Sequence, residues 1–133
     1  MPKILIVDDD KDATDLIEKI MRSEGYEPTS VNESYKAMDV ATTVEPDLFI
    51  LDLMMPKPDG FQLCRMLRAN PIFSLTPILI VTALDDSDSR VVAFGAGAND
   101  YLSKPFNPKV LRARVQALFR RCEYKAQEQP SGR

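Results

Sequence analysis

The sequence predicts an α/β fold with three layers, in which helices cover both faces of a five-stranded parallel sheet. Short, continuous apolar runs recur along the chain, as is typical of strands buried on both faces, and segments with helical spacing separate them. Right-handed crossovers leave few topologies for such a chain, and the common five-stranded one has strand order 2-1-3-4-5. Strands 1 and 3 are then neighbours.

Three of the predicted strands contain short, continuous apolar runs rich in β-branched residues, which are Ile4–Val7, Leu48–Leu51 and Ile78–Val81. Five strands are predicted in all, each followed by a helix, which makes five strand-helix units. The strands are placed at residues 3–7, 27–31, 47–51, 77–81 and 99–102.

Helices are predicted where apolar residues recur three and four positions apart. The first ends before Gly25, a residue type favoured just beyond a helix C-terminus, and the second ends before Pro46. The last reaches Cys122, after which the pattern fades. We therefore expect one domain over residues 1–122 and a tail, or the start of a linker, over residues 123–133.

The composition and net charge of the chain exclude several classes of function. The net charge of −3 argues against nucleic-acid binding as the main role of this domain. No apolar stretch reaches the length of a membrane span or of a signal peptide, so we expect a cytoplasmic protein without membrane contact. The two cysteines form no C-x-x-C pair and are expected to be reduced thiols. The sequence contains no histidine, which excludes a Ser-His triad, a histidine nucleophile and a histidine-ligated metal.

Polar residues follow four of the predicted strands directly. Three acids, residues 8–10, follow strand 1, and Asp52 follows strand 3. Thr82 follows strand 4, and Lys104 comes shortly after strand 5. Parallel strands end at one edge of their sheet, so we expect these groups to converge there.

The converging groups are suited to a metal ion and a phosphate. Acids that lie close together raise one another's pKa and destabilise the fold, and a hard cation such as Mg²⁺ removes this conflict. Asp52 lies at the centre and is the natural nucleophile, because carboxylate attack on phosphorus gives an acyl phosphate. Mg²⁺ and Lys104 would stabilise charge on the phosphoryl oxygens, and Thr82 could donate a hydrogen bond to one of them.

Each of these residues has an ordinary explanation when taken alone. Asp9 or Asp10 could cap the first helix, and Asp52 could be a loop acid. Thr82 could be a strand-end hydroxyl, and Lys104 could be solvated. These separate explanations do not predict the combination, which favours one joint site.

Four segments carry motifs at consistent spacing. They are Ile4–Asp10, Leu51–Pro56 with Asp59–Phe61, Val81–Ala83 and Gly97–Phe106. In order and spacing, over about residues 2–121, the chain resembles the CheY-like receiver domain of two-component response regulators. The resemblance implies a flavodoxin-like fold and a phosphoaccepting signalling module that is not an enzyme in its own right. Its donor would be the phosphohistidine of a partner histidine kinase or phosphotransfer protein, which fits a chain without histidine.

By position, the resemblance implies a magnesium site. Asp8 and Asp9 resemble the family's acidic pair, in which Asp9 is the expected direct Mg²⁺ ligand, and Asp52 would be the phosphoacceptor and a further ligand. The backbone carbonyl of Met54 would also bind the ion, so the side-chain type at that position is unimportant for the contact.

The resemblance also implies a switch. Thr82 matches the switch hydroxyl and Tyr101 the switch aromatic, whose rotation would link the phosphoryl group to the surface of strand 5 and its flanking helices. The alternative for Tyr101 is an ordinary core or half-exposed aromatic. The peptide bond between Lys104 and Pro105 is expected to be cis.

Two apolar positions bear on the lifetime of the phosphoryl group. Met54 and Leu84 stand two residues after Asp52 and Thr82, where family members often carry polar groups that orient water. We therefore expect slow autodephosphorylation. The small Ala83 should leave the site open to a donor.

Asp100 and Arg114 bear on assembly, because they match an inter-subunit ion pair of receivers that dimerise on phosphorylation. An intrachain or solvated pair is the alternative. Val110 stands where that interface typically has an acid, which weakens the expectation of a homodimer.

Other classes fit less well. A haloacid-dehalogenase-like, Mg²⁺-dependent phosphotransferase would need an acid at Met54, and a flavin-binding flavodoxin-like module would need a phosphate loop where residues 8–10 stand. A receiver that acts only by binding would not need the complete set of acids, hydroxyl and lysine.

Overall fold

The computed structural model describes the backbone of residues 1–128 and the side chains of residues 1–122. Its strands are β1 Lys3–Val7, β2 Glu27–Val31, β3 Leu48–Leu51, β4 Ile78–Thr82 and β5 Asp100–Ser103. They form one parallel sheet in the order β2-β1-β3-β4-β5. The predicted α/β architecture and strand order are confirmed, and each strand lies within one residue of its predicted position.

Helices cover both faces of this sheet, and a 3-10 turn at Ser34–Lys36 precedes the second of them. Among the described residues, no helix is both long enough and apolar enough to cross a membrane. The helices are α1 Lys11–Ser23, α2 Ala37–Val44, α3 Gly60–Ala69, α4 Ser87–Ala96 and α5 Pro108–Glu128.

The ends of α1 follow from local chemistry. The Asp10 carboxylate accepts a hydrogen bond from the Asp12 backbone N–H at 3.0 Å and caps the helix, so this ordinary explanation holds for Asp10. The chain leaves α1 through Gly25, whose φ of +86° lies in the left-handed region that favours glycine.

The last helix, α5, is longer than its apolar pattern indicates. It continues to Glu128, so the predicted tail over residues 123–133 begins inside the helix. Residues 129–133 of that tail lie outside the described residues. The domain boundary at residue 122 stays a prediction.

Two apolar clusters, one on each face of the sheet, form the core. Leu5 and Val7 of β1 pack with α2, α3 and α4, whereas Ile4 and Ile6 pack with α1 and α5. Neighbouring residues of a strand point to opposite faces, and both faces are buried here, so the central strands β1, β3 and β4 are apolar at nearly every position, whereas the edge strands β2 and β5 carry polar residues.

Arg68, at the end of α3, closes the edge of the sheet where the strands begin. Its guanidinium donates hydrogen bonds to the carbonyls of Phe73 at 2.8 Å, Thr76 at 2.7 Å and Gly97 at 3.0 Å, and to the side-chain oxygen of Asn99 at 2.8 Å. These bonds tie the end of α4 to the loop that follows α3. The opposite edge, where the strands end, carries the polar cluster.

Candidate functional site

Three carboxylates meet at the carboxyl edge of the sheet. Asp8 follows β1 and Asp52 follows β3, and these strands are adjacent, with Val7 opposite Leu51. One oxygen each of Asp8, Asp9 and Asp52 lies within 4.8 Å of the others. Asp8 and Asp52 are buried, and Asp9 is exposed.

The backbone orients the two buried acids in the same way. One carboxylate oxygen of Asp8 accepts a hydrogen bond from the Asp10 N–H at 3.0 Å, and one of Asp52 accepts from the Met54 N–H at 3.1 Å. The side chain of Asn32 donates to the Asp8 carbonyl at 2.9 Å and holds the loop in place. Each acid therefore keeps its second carboxylate oxygen for another partner.

That partner is Lys104. Its ammonium nitrogen lies 2.7 Å from Asp8 Oδ2 and 3.0 Å from Asp52 Oδ2. The Lys104 backbone N–H donates to the Thr82 carbonyl at 2.7 Å, and the bond from Lys104 to Pro105 is cis. The loop after β5 thus places one cation between two buried anions.

The electrostatics of the cluster show an excess of negative charge. Burial raises the pKa of Asp8, and hydrogen bonds from Lys104 and from the Asp10 N–H offset this only in part. Burial opposes the charged form of Lys104, but its hydrogen bonds to Asp8 and Asp52 raise its pKa overall. Hard carboxylate oxygens with too few cations fit a hard divalent ion, so the donor set suits a metal.

Thr82, on the strand next to β3, and Tyr101, on the strand after it, share a connection through Leu84. Thr82, the last residue of β4, is fully buried, and its hydroxyl oxygen accepts from the Leu84 N–H at a long 3.5 Å. The Tyr101 ring is buried, and its hydroxyl donates to the Leu84 carbonyl at 2.8 Å. One residue, Leu84, therefore joins the predicted switch hydroxyl to the predicted switch aromatic through its backbone.

The remaining predicted residues are Met54 and the pair formed by Asp100 and Arg114. Met54 lies on the loop after β3 with an exposed side chain. Arg114 pairs with Asp100 of the same chain at 2.9 Å and also donates to the Tyr101 carbonyl at 3.0 Å. The intrachain alternative for Asp100 and Arg114 thus describes this structure.

Gly60 is a site residue that our sequence reasoning gave no role of its own. It opens α3, and a Cβ there would lie 2.2 Å from the Asp52 carbonyl oxygen and 2.6 Å from Leu53 Cα. The N–H of Gly60 donates to the Leu53 carbonyl at 3.2 Å. Only glycine allows α3 to start this close to the backbone of Asp52. In the sequence, the Asp59-Gly60 pair at the start of a predicted helix is the one feature that indicates this close approach.

A protein-family model and many known protein sequences match most of this chain. A family model described as the response regulator receiver domain matches residues 4–116. The chain is 41% identical over 123 residues to the DNA-binding dual master transcriptional regulator RpaA of Synechocystis sp., across 92% of this chain and 51% of that protein. It is 39% identical to the alkaline phosphatase synthesis transcriptional regulatory protein PhoP of Bacillus subtilis, across 93% and 51%. The chain spans about half the length of these curated relatives.

Solved structures share the fold. The Francisella response regulator 1452 receiver domain superposes with a TM-score of 0.84 at 34% identity, covering 92% of this chain and 99% of that one. A two-component response regulator from Clostridium difficile superposes with a TM-score of 0.86 at 30% identity, covering 92% and 98%. The expected flavodoxin-like topology is confirmed.

Gly60→Ala should destabilise the fold by about 1–3 kcal/mol, because the added methyl group must displace the backbone of Asp52 or Leu53. Urea unfolding measures this change in the free energy of unfolding. Gly95→Ala is the matched control, since Gly95 lies in α4 and a methyl group added there would meet nothing within 4 Å. That variant should gain up to roughly 1 kcal/mol from helix propensity. Equal stability of Gly60→Ala and the parent would contradict the close approach.

Proposed function

The chain belongs to the family of response regulator receiver domains, and we propose that it accepts a phosphoryl group on Asp52 from the phosphohistidine of a partner histidine kinase or phosphotransfer protein. Members of this family are signalling modules of two-component systems. The observation that carries the proposal is the position of the Lys104 ammonium, 2.7 Å from Asp8 and 3.0 Å from Asp52. A cation already in contact with the nucleophile can follow the negative charge that arrives with the phosphoryl group.

The chain's own groups would carry out the transfer. Asp52 is oriented by the Met54 N–H on one oxygen and by Lys104 on the other. An Asp52 oxygen forms a bond to phosphorus while the bond from phosphorus to the donor nitrogen breaks, and the donor keeps that electron pair. Lys104 then pairs with a phosphoryl oxygen, and the Thr82 hydroxyl donates to another.

The proposed metal is Mg²⁺, held by Asp8, Asp9, Asp52 and the backbone carbonyl of Met54. Mg²⁺ retains several water ligands, which suits a site whose third acid, Asp9, is exposed to solvent. When bound, the ion supplies positive charge to the acids and to the phosphoryl oxygens. Such an ion would relieve the shortage of cations around the two buried acids.

The proposed switch runs from the site to the surface through the backbone of Leu84. A Thr82 hydroxyl that donates to a phosphoryl oxygen can still accept from the Leu84 N–H, a long 3.5 Å contact at present, so the phosphoryl group would fix Leu84 beside Thr82. Fixing Leu84 there would favour the inward Tyr101 ring, whose hydroxyl donates to the Leu84 carbonyl. The response would then reach β5 and the helices beside it, α4 and α5.

The output of the module is part of the proposal. RpaA is described as DNA-binding, and this chain covers 51% of it. We infer that the phosphorylated receiver acts in the cytoplasm on an output domain or a downstream target.

Asp52→Asn should abolish labelling by radioactive acetyl phosphate in Mg²⁺ buffer, because an amide oxygen is a poor nucleophile. The protein-bound label measures the transfer. Asp39→Asn, which changes an exposed acid on α2, is the matched control and should label like the parent. Chelating the metal should lower labelling of the parent by about tenfold or more. Equal labelling of Asp52→Asn and the parent would refute the acceptor, and equal labelling in chelator would refute the metal.

Loss of the phosphoryl group should be slow, lasting minutes or longer, because neither the exposed Met54 nor the half-buried Leu84 can position water. Met54→Asn should shorten the lifetime by about tenfold by adding a polar group beside the site. The decay of labelled protein after removal of the donor gives the rate. Met66→Asn, on an exposed position of α3, should leave the lifetime unchanged. A lifetime of a few seconds for the parent would contradict the prediction.

Phosphorylation should also produce a homodimer through α4, β5 and α5. Val91 and Phe94 are exposed apolar residues on α4, and burying them would favour association. Sedimentation with and without a beryllofluoride phosphate mimic measures the mass. A doubled mass is expected with the mimic, and Val91→Lys should prevent it. An unchanged mass would rule out the homodimer.

A further inference from the structure

A polar cluster next to the Tyr101 ring has no part in the proposed phosphoryl transfer. Arg90, in the first turn of α4, places its guanidinium carbon 4.8 Å from the centroid of this ring. The same guanidinium donates hydrogen bonds to Ser103 Oγ at 3.1 Å and to Asp85 Oδ1 at 3.2 Å. Arg90 thus links α4, the loop after β4 and strand β5 within one chain.

The cluster fixes the cation in front of the ring. A guanidinium over an aromatic face is attracted by the electrons of the ring, but a long arginine side chain must be oriented to remain there. Asp85 and Ser103 supply that orientation, and they are themselves joined by a hydrogen bond of 3.2 Å from Ser103 Oγ. The Tyr101 ring is therefore held at its face by Arg90 and at its hydroxyl by the Leu84 carbonyl.

The contact of the ring with Arg90 and the bond of its hydroxyl to Leu84 belong to the inward position of Tyr101, where the residue is 3% exposed. Rotation of the ring to the outside would take the aromatic face away from Arg90 and the donor away from the Leu84 carbonyl. Arg90 therefore stabilises the inward arrangement and not the outward one. A group that favours one of two arrangements shifts the population toward it.

We propose that Arg90 is a positioning residue, which holds Tyr101 inward before phosphorylation and so presets the connection from Thr82 through Leu84 to Tyr101. The inward ring anchors Leu84 beside Thr82, which is the arrangement that the phosphoryl group must engage. For its consequence at Asp52 this inference rests on the proposed function. By linkage, a residue that stabilises this arrangement strengthens the binding of a phosphoryl mimic by the factor by which it raises the population of the arrangement.

The test uses the full chain with ¹³C-labelled tyrosine rings, observed by NMR with and without beryllofluoride and Mg²⁺. Arg90→Gln removes the cation and keeps a side chain of similar polarity. The Tyr101→Leu variant lacks the Tyr101 ring and so identifies its resonances in the spectrum of the parent. In Arg90→Gln these resonances should move away from their positions in the parent, both with and without the mimic. The affinity for beryllofluoride should fall about five- to tenfold. Arg90→Lys should recover part of both effects, because an ammonium group still binds an aromatic face.

Two comparisons make the result decisive. Arg65→Gln, at an exposed arginine of α3, should leave the ring resonances and the affinity unchanged. In the Tyr101→Leu background, Arg90→Gln should cause no further loss of affinity, because the ring through which Arg90 acts is gone. An equal loss in both backgrounds, or unchanged ring resonances in Arg90→Gln, would overturn the inference.

The same experiment separates this inference from the proposed function. The ring resonances of the parent and of Arg90→Gln are first compared without the mimic, and that comparison decides whether Arg90 positions the ring. Beryllofluoride binding that does not depend on Asp52 would instead refute the proposed acceptor, and the ring comparison would still stand.

Discussion

Two buried carboxylates, Asp8 and Asp52, lie side by side where β1 and β3 end, and one ammonium group, that of Lys104, contacts both. The register of the two strands enforces this proximity, since Val7 lies opposite Leu51. Burial raises the pKa of Asp8, so the ionised site works against the stability of the fold. A divalent cation at the three acids would relieve this conflict, and its charge would also offset that of an incoming phosphoryl group. The site therefore has an electrostatic imbalance that a bound cation would correct.

The architecture leaves one edge of the sheet for this chemistry. Helices bury both faces, so polar groups that must meet can do so only where strands begin or end. The edge where strands begin is closed by Arg68, which donates hydrogen bonds to the carbonyls of Phe73, Thr76 and Gly97. This bonding also fixes the end of α4, while the start of α4, with Arg90, faces the loop that follows Thr82.

The sequence predicted the sheet well because burial on both faces leaves continuous apolar runs, and the acids after β1 and β3 could then be placed from the strand order. Features that depend on distances between loops were not predictable in this way. The need for Gly60 arises from its approach to the Asp52 carbonyl, which no periodicity records. A long side chain such as Arg114 has several partners within reach, so the sequence left its pairing with Asp100 open. The length of α5 also exceeded its apolar pattern, because the backbone hydrogen bonds of a helix do not require apolar residues at regular spacing.

At Met54 and Leu84, the two apolar positions beside the site, the backbone and the side chain act separately. The Met54 N–H orients Asp52, and the Leu84 carbonyl receives the Tyr101 hydroxyl, so both residues contribute through groups that every residue except proline retains. In the proposed function, their side chains control the access of water to the phosphoryl group. Substitution at Met54 or Leu84 would then change how long the phosphoryl group lasts while the orientation of the acceptor and the link to Tyr101 are kept. The duration of the signal and its transmission to the surface would thus vary independently on one fold.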